Sequence, residues 1–492
     1  MNEGKNIMTS ETIRLTEAIS FDDIADFVVI GLGAAGASAA IEARAAGLDV
    51  MVLERASAGG GSSALCGGFI YLGGGTRVQK LNGFDDTVED MFNYLMAMTP
   101  NPDEEKIRLY CEKSLEHFDW LERQGVVFNN GFYPDKHFEH PTEDGLAWTG
   151  NEKVWPFSEQ ARPFPRGHKV TIPGGQQELG MGGKKLMDML IARVEESGAR
   201  IVVDANVKNL IADGDGRIVG VKYKLFEGER FVRARKGVLI SSGGFGMNKV
   251  MSERYSPLLA DERVNIVGCT YSDGSGIEMG LGAGGVVQDI GYLITCPFYP
   301  PTSLLKGVLV NKYGKRFVAE DSYHGRTIGA CLLQPDYTAY LILDNATFQK
   351  PEFGGQTLVD AWDNFADMER DLGIPEGALQ KTLADYNRHA EHHEDPEFHK
   401  YHDWIQPLVE PPFAALDTSL GAAWYSGFSL GGLATNAKAQ VLDASGKVIP
   451  GLYAAGACAT NIAKDGMGYS SGTCIGESTF FGRQAGINAA TR

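Results

Sequence analysis

The sequence predicts an α/β protein with a parallel-stranded first domain, an inserted second domain and a C-terminal return to the first. Three observations predict it. Residues 27–54 read as strand, glycine turn, helix and strand. Near residue 285 the texture changes, as prolines and aromatics rise in CPFYPPTS. From about residue 426 the glycine-rich style returns. The expected divisions are 22–284, 285–425 and 426–492.

Bulk properties set limits. A chain of 492 residues with 43% hydrophobic residues can bury a large core and more than one domain. A net charge of −18 argues against nucleic acid and against an anionic membrane surface as partners. The 62 glycines follow no collagen-like period and cluster in short loops, which suits tight turns and close backbone–ligand approach. The 7 cysteines form no CxxC pair and are odd in number, as expected for reduced thiols in a cytoplasmic protein. The opening MNEGKNIMTSETIRL lacks the layout of a signal peptide. No apolar run reaches the roughly 18 residues of a membrane span.

The front of the chain carries the strongest motif. Phe27–Ile30 is an apolar run of strand length, followed by Gly31-x-Gly33-x-x-Gly36. ASAAIEARAAG then reads as a helix closed by Gly47, and DVMVLE as a second strand ending at Glu54. In such a unit the first glycine allows the tight turn and the second admits a pyrophosphate. The third lets helix and strand pack. An acid about 20 residues on binds a ribose hydroxyl and disfavours a 2′-phosphate; Glu54 stands there. These residues do not separate FAD from NAD. The Gly/Ser loop ASAGGGSSALCGGFIYLGGGT, residues 56–76, favours a flavin, because a simple nicotinamide enzyme would enter its next helix at that point.

The remaining elements follow in order. Residues 85–126 and 180–198 carry apolar positions at helical spacing. ARIVVDANVKNLIADGDGRIVGVKYK alternates as strands around a GDGR turn. KGVLISSGGFGMN is a buried strand ending in a glycine turn, and YSDGSGIEMG turns into a helix. Gly280-x-Gly282-x-x-Gly285 repeats the glycine pattern but follows a helix, so it reads as a helix C-terminus. Charged helices are expected from there to about residue 405. Among them HAEHHEDPEFHKYH holds five histidines without an HExxH spacing and reads as a solvated loop rather than a metal site. GLYAAG is a late strand, and DGMGYSSGTCIGES, residues 465–478, is a glycine turn running into a helix.

Together these segments resemble the fumarate reductase/succinate dehydrogenase flavoprotein superfamily. The pieces that carry the resemblance are GLGAAG with Glu54, GGGSSALCGG, VLISSGGFGMN, SDGSGIEMGLGAGG, GVLVNKYGKRFVAED and GLYAAGACA, in the superfamily's order. The resemblance implies a doubly wound FAD-binding Rossmann-like domain with an inserted α+β capping domain, and a substrate between the two over the flavin ring. It implies cofactor contacts at Gly31, Gly33, Ala35, Gly36, Glu54, Arg55, Gly61, Ser62, Ser63, Gly67, Gly68, Val207, Gly243, Gly244, Asp273, Gly456, Gly472 and Thr473. The histidine that tethers FAD in some relatives is not evident in GGGSSALCGG, so noncovalent FAD is expected. One dinucleotide site is expected, which leaves reoxidation to an external electron acceptor.

The catalytic positions depart from the fumarate reductases. Those enzymes place an arginine after GKRFVxE, where this chain has Tyr323 and His324, with Arg326 two further on. The histidines expected before GVLVN and after GLYAAG are absent. A dicarboxylate would lack its charge partners, and burying unpaired carboxylates is costly. The chain is more similar to the 3-ketosteroid dehydrogenases, which use tyrosines over the flavin. Tyr323 and Tyr469 stand where that branch carries its tyrosines, and Ser471 follows Tyr469 by two, as in the Δ4-(5α)-dehydrogenases. This implies desaturation of an apolar ketone, a steroid: a proton leaves α to the carbonyl and a hydride passes to flavin N5, giving a C4–C5 double bond. Tyr323, Tyr469 and Ser471 would form the proton relay and carbonyl clamp, with the base among them unassigned. The amides of Gly472 and Thr473 would face the flavin pyrimidine carbonyl. A Δ1-dehydrogenase and a reductase of another enone or unsaturated acid stay open as enzymes. A flavin subunit whose main task is docking to an electron-transfer chain is the alternative from a different class.

Overall fold

Phe27–Ile30 is buried throughout, so Asp23–Ile30 sits as an interior strand. A computed structural model describes residues 10–16, 19–172, 180–353 and 355–491. In it Asp23–Ile30 pairs in parallel with Val50–Leu53 on one side and with Gly228–Ile240 on the other. Arg200–Val202 extends the parallel set beyond Val50–Leu53, and Val448–Ala454 extends it beyond Gly228–Ile240. Asn206–Ala212, Ile218–Leu225 and Gly228–Ile240 form an antiparallel meander that completes, with Ile13–Arg14 and Gln440–Leu442, a nine-stranded sheet. One apolar cluster lies against each face of this sheet.

The helix Ala34–Ala45 follows the first strand, and the helix Thr473–Ala490 packs along it. Small residues permit that approach: a Cβ at Gly482 would come 2.2 Å from the Ala35 carbonyl oxygen. The last helix therefore packs against the βαβ unit at the front of the chain.

The stretch 85–126 divides into three helices, Val88–Met98, Glu104–Glu112 and Ser114–Arg123. The helix Ser275–Gly282 ends inside the second glycine pattern, and a Cβ at Gly280 would meet Leu433 at 2.4 Å, so these glycines serve packing. Between 300 and 420 the expected helices Phe365–Asp371 and Ala378–Ala390 are present. They share the region with a four-stranded sheet of Val308–Asn311, Ala339–Leu343, Thr357–Trp362 and Phe413–Asp417. A three-stranded sheet of Val264–Ile266, Tyr425–Leu433 and Val287–Thr295 joins residues from each of the three expected divisions.

The histidine-rich segment is mostly exposed, apart from Ala390, Asp395 and Lys400. Asp395 pairs with buried Arg316 at 2.8 Å, and Arg316 also pairs with Glu320 at 2.9 Å. That ionic cluster fixes KRFVAE, three residues before Tyr323. Among the described residues no helix is long and apolar enough to cross a membrane.

Candidate active site

A long cavity opens at the carboxyl ends of the parallel strands, where Ile30, Leu53, Ser241 and Gly456 line it. Of the expected cofactor positions, Gly31, Gly33, Ala35, Glu54, Arg55, Gly61, Ser62, Ser63, Val207, Gly243, Gly244 and Gly456 all line this cavity. Gly31 has φ +98°, and a Cβ there would meet the Ser241 carbonyl oxygen at 2.7 Å. Glu54 accepts from Leu32 N–H at 2.7 Å and from Ala56 N–H at 2.8 Å. Each oxygen keeps a second acceptor position for a hydroxyl.

The other expected positions lie behind the lining. A Cβ at Gly36 would come 2.0 Å from the Gly31 carbonyl oxygen, so this glycine lets helix and strand pack. Gly67 faces the Glu139 carboxylate, and Gly68 packs on the Gly182 backbone. Gly472 accepts from Tyr71 N–H at 3.1 Å, and buried Thr473 donates to the Ser470 carbonyl at 2.7 Å. Asp273 binds the cavity-lining Arg55 at 2.5 Å, while the guanidinium stacks on Tyr271 at 4.5 Å. Burial pushes the Asp273 carboxyl up, but Arg55 and Ser275 outweigh it and hold it below the usual carboxylate range.

The segment 267–275 forms a strap along the cavity. The Ser62 hydroxyl accepts from Cys269 N–H at 2.9 Å and lies 3.1 Å from the Ser272 hydroxyl. Cys269, Tyr271, Met279, Phe428, Cys474 and Ile475 also line the cavity. These were missed: only their approach in the fold marks them, apart from Cys474, which sits inside the glycine turn.

The donor set fits an elongated dinucleotide. The helices Ala34–Ala45 and Thr473–Ala490 each begin at a glycine, the first with Ala34 N–H donated to the Ser63 hydroxyl at 3.2 Å, and residues of both first turns line the cavity. Helix N-termini of this kind stabilise negative charge. The buried Ser242 hydroxyl at the cavity wall has no partner within the protein. An unpaired buried hydroxyl calls for a ligand or water. No histidine is among the cavity-lining residues.

The three expected catalytic residues come together beside the cavity, where Tyr469 lines it and Tyr323 and Ser471 stand behind the lining. The Tyr323 and Ser471 hydroxyls lie 2.9 Å apart, and the Tyr323 and Tyr469 rings 6.2 Å apart. Tyr469 packs edge-on against Phe428, and both line the cavity. Tyr323 precedes the helix His324–Cys331, and its N–H donates to Asn151 Oδ1 at 2.7 Å. Asn151 N–H donates to the Tyr94 hydroxyl at 2.8 Å, which lies 2.9 Å from the Ser470 hydroxyl. This chain ties the two loops that carry the phenols. Ser471 N–H donates to the Thr149 carbonyl at 2.8 Å.

Electrostatics favour neutral groups here. Burial raises both phenols well above the ordinary tyrosine range, while the Ser471 hydrogen bond draws Tyr323 part of the way back. The His324 ring lies tilted against that of Tyr323, 3.9 Å between centroids, and burial, then Lys136, bring it down to about 3, so it is neutral. Arg326 lies over the Phe157 ring at 4.9 Å. The arrangement offers hydroxyls against apolar rings, a setting for an uncharged carbonyl compound rather than a dicarboxylate.

Comparison with known proteins points to the same cofactor. A family model described as FAD binding domain matches residues 26–474. The crystal structure of 3-ketosteroid-delta4-(5alpha)-dehydrogenase from Rhodococcus jostii RHA1, in complex with 4-androstene-3,17-dione, is 40% identical. It superposes with a TM-score of 0.91, over 98% of this chain and 100% of that one. The 3-oxo-5-alpha-steroid 4-dehydrogenase of Comamonas testosteroni is 28% identical over 89% of this chain and 94% of its own. A probable fumarate reductase of Shewanella frigidimarina is 27% identical over 94% of this chain and 74% of its own.

Proposed function

Because the chain belongs to the FAD-binding-domain family, we propose that this FAD-dependent oxidoreductase desaturates a 3-ketosteroid, introducing a C4–C5 double bond into a 5α-saturated substrate. The observation that carries the reading is the meeting of Tyr323 with Ser471 and with Tyr469, the last of which lines the cofactor cavity. The complex of the 40% identical Rhodococcus enzyme with 4-androstene-3,17-dione supports the substrate class.

FAD, held noncovalently by the residues that line the cavity, would supply the hydride acceptor. The chain's own residues do the rest. Gly33 and the first turn of Ala34–Ala45 receive the pyrophosphate, and Glu54 receives a ribose hydroxyl. Tyr469 and Phe428, set edge-on to each other, supply apolar surface beside which a steroid ring would pack. The segment 285–425 acts as the cap that brings Tyr323 over it. A hydroxyl of the Tyr469–Tyr323–Ser471 group polarises the ketone oxygen and makes the α-proton acidic. Another accepts that proton as it gives up its own along the Tyr323–Ser471 hydrogen bond, and the displaced proton leaves to water from partly buried Ser471. A tyrosine ionises at about 10 when exposed, and burial disfavours its anion further, so the proton moves through the hydroxyls without a lasting phenolate. An external acceptor then takes the electrons.

The experiment is anaerobic mixing of the yellow protein with 5α-androstane-3,17-dione while the flavin absorbance is followed. Bleaching with a 4-ene-3-ketone product is expected. A 1-ene product keeps the steroid class and overturns the position of the bond. No bleaching, with turnover instead of an unsaturated acid and a reduced dye, sinks the steroid reading.

A further inference from the structure

A buried acid stands directly behind the Tyr469 turn. Glu477 is 3% exposed and lies three residues after Cys474 in the helix Thr473–Ala490, on the same face. Cys474 lines the cavity and packs against the cluster of Tyr323 and Tyr469. The Glu477 carboxylate accepts from Asn461 Nδ2 at 2.6 Å and from Ile462 N–H at 2.5 Å. Asn461 Oδ1 accepts in turn from Gly431 N–H at 2.7 Å, in the strand that carries Phe428. One carboxylate therefore ties the helix after Ser471, the loop before Tyr469 and the strand behind Phe428. Beyond it lies a small cavity lined by Lys106, Thr435, Thr460 and Asn461. Lys106 donates there to the Thr435 hydroxyl at 2.8 Å and the Thr460 carbonyl at 3.3 Å.

We propose that Glu477 is a positioning residue for Tyr469, and that the site oxidises its substrate only while this carboxyl is ionised. The inference rests on the role given to Tyr469 above. As a carboxylate, Glu477 meets each of its two N–H donors with a free oxygen. Once protonated, it carries a donor of its own toward those donors, and one N–H loses its acceptor. The loop 461–469 then loses a fixed end. The groups that face Glu477 are Lys106 from the helix Glu104–Glu112, Lys464 with its partner Asp289, and Tyr110 and Cys474. Burial pushes the carboxyl up, while Ile462, Asn461, Lys106 and Lys464 pull it back, and it settles at about 7. Its charge thus changes near neutral pH.

The test follows anaerobic flavin reduction by 5α-androstane-3,17-dione from about pH 5.5 to 9 in the wild type and in Glu477→Gln. FAD-free samples are followed over the same range by the infrared band of protonated carboxyls and by amide exchange of residues 461–471. In the wild type the rate is expected to fall about tenfold per pH unit below neutrality, as the band appears and exchange accelerates beyond its intrinsic pH dependence. In Glu477→Gln the limb and the band vanish and the rate above neutrality drops at least ~tenfold, with FAD still bound. A Glu477→Gln protein that keeps the wild-type limb overturns the proposal. So does a wild type without the band. If Glu477→Gln fails to fold, the exchange Glu477→Gln with Asn461→Asp, which conserves donors and acceptors but moves the carboxyl to residue 461, takes its place, and a limb and band unshifted from the wild type then overturn the proposal. If the substrate is not a steroid, the wild type stays yellow at every pH, and the FAD-free readouts decide alone.

Discussion

The hydroxyls of Tyr323 and Ser471 lie 2.9 Å apart although 148 positions separate them in the chain. Each segment has its own anchor: Asn151 Oδ1 takes the Tyr323 N–H, and the Thr149 carbonyl takes the Ser471 N–H. Both anchors belong to one short stretch, so the pair is held from a common base.

Tyr469→Phe and Tyr323→Phe keep the rings and remove the hydroxyls. Each is expected to lower steady-state turnover by about 10²- to 10⁴-fold, while the protein stays yellow with wild-type FAD content. Flavin absorbance gives the occupancy and a dye-linked assay the rate. Full activity in either variant removes that residue from the relay.

Ser471→Ala deletes a hydrogen-bond partner and leaves the phenols in place. A loss of about 2- to 10-fold in kcat is expected, with KM nearly unchanged. A loss as large as that of the tyrosine variants would instead make Ser471 a direct participant in proton removal.

Gly36→Ala and Gly47→Ala separate packing from backbone strain. A Cβ at Gly36 would meet the Gly31 carbonyl oxygen at 2.0 Å, whereas one at Gly47 meets nothing within 4 Å and only carries φ +85°. Gly36→Ala is expected to yield insoluble or FAD-free protein. Gly47→Ala is expected to keep FAD and cost about 1–2 kcal/mol of stability. FAD content and a denaturant melt distinguish them.

His324 makes the stability depend on pH. Its folded value of about 3 lies below the roughly 6.5 of an unfolded histidine. Between those values the unfolded chain binds the proton and the folded one does not. The contribution is full above about 6.5 and is lost as pH falls toward the folded value. Thermal melts of His324→Gln should therefore decline less than wild type between about pH 6.5 and 4.5. Parallel declines would show that another group dominates.

Asp273→Asn weakens the strap over the cofactor cavity. Arg55 keeps its stack on Tyr271 but loses its charge partner. Both side chains are about one-third exposed, so screening keeps the effect small. A rise in the FAD dissociation constant of about 2- to 5-fold is expected, read from cofactor loss on dilution.

Much of this molecule was legible in local pattern. The apolar run Phe27–Ile30, the three glycines and Glu54 mark a βαβ unit because each meets a local steric or hydrogen-bonding demand. Tyr469 and Ser471 stand out for the same reason, since they sit inside a turn that must be glycine-rich: Gly472 has φ +96°. What the sequence hides is what distant segments bring together. Thr357–Trp362 alternates too weakly to read as a strand, and only its pairing with Phe413–Asp417 makes it one. Cys269 and Tyr271 reach the cavity through Ser62 and Arg55, more than two hundred positions away. Glu54 was read as a ribose ligand, and its two backbone N–H partners follow from the turn geometry rather than from the residue type.

The cofactor cavity draws its wall from both ends of the chain, from Ile30 to Ser478. The order of synthesis has a consequence for how the protein is made. The βαβ unit emerges from the ribosome early, since domains form N-terminal first during synthesis. Yet Gly456, Tyr469 and the first turn of the last helix must arrive before the chamber closes. FAD loading is thus a step after translation has passed Ser478, and a nascent chain halted before that point should emerge colourless.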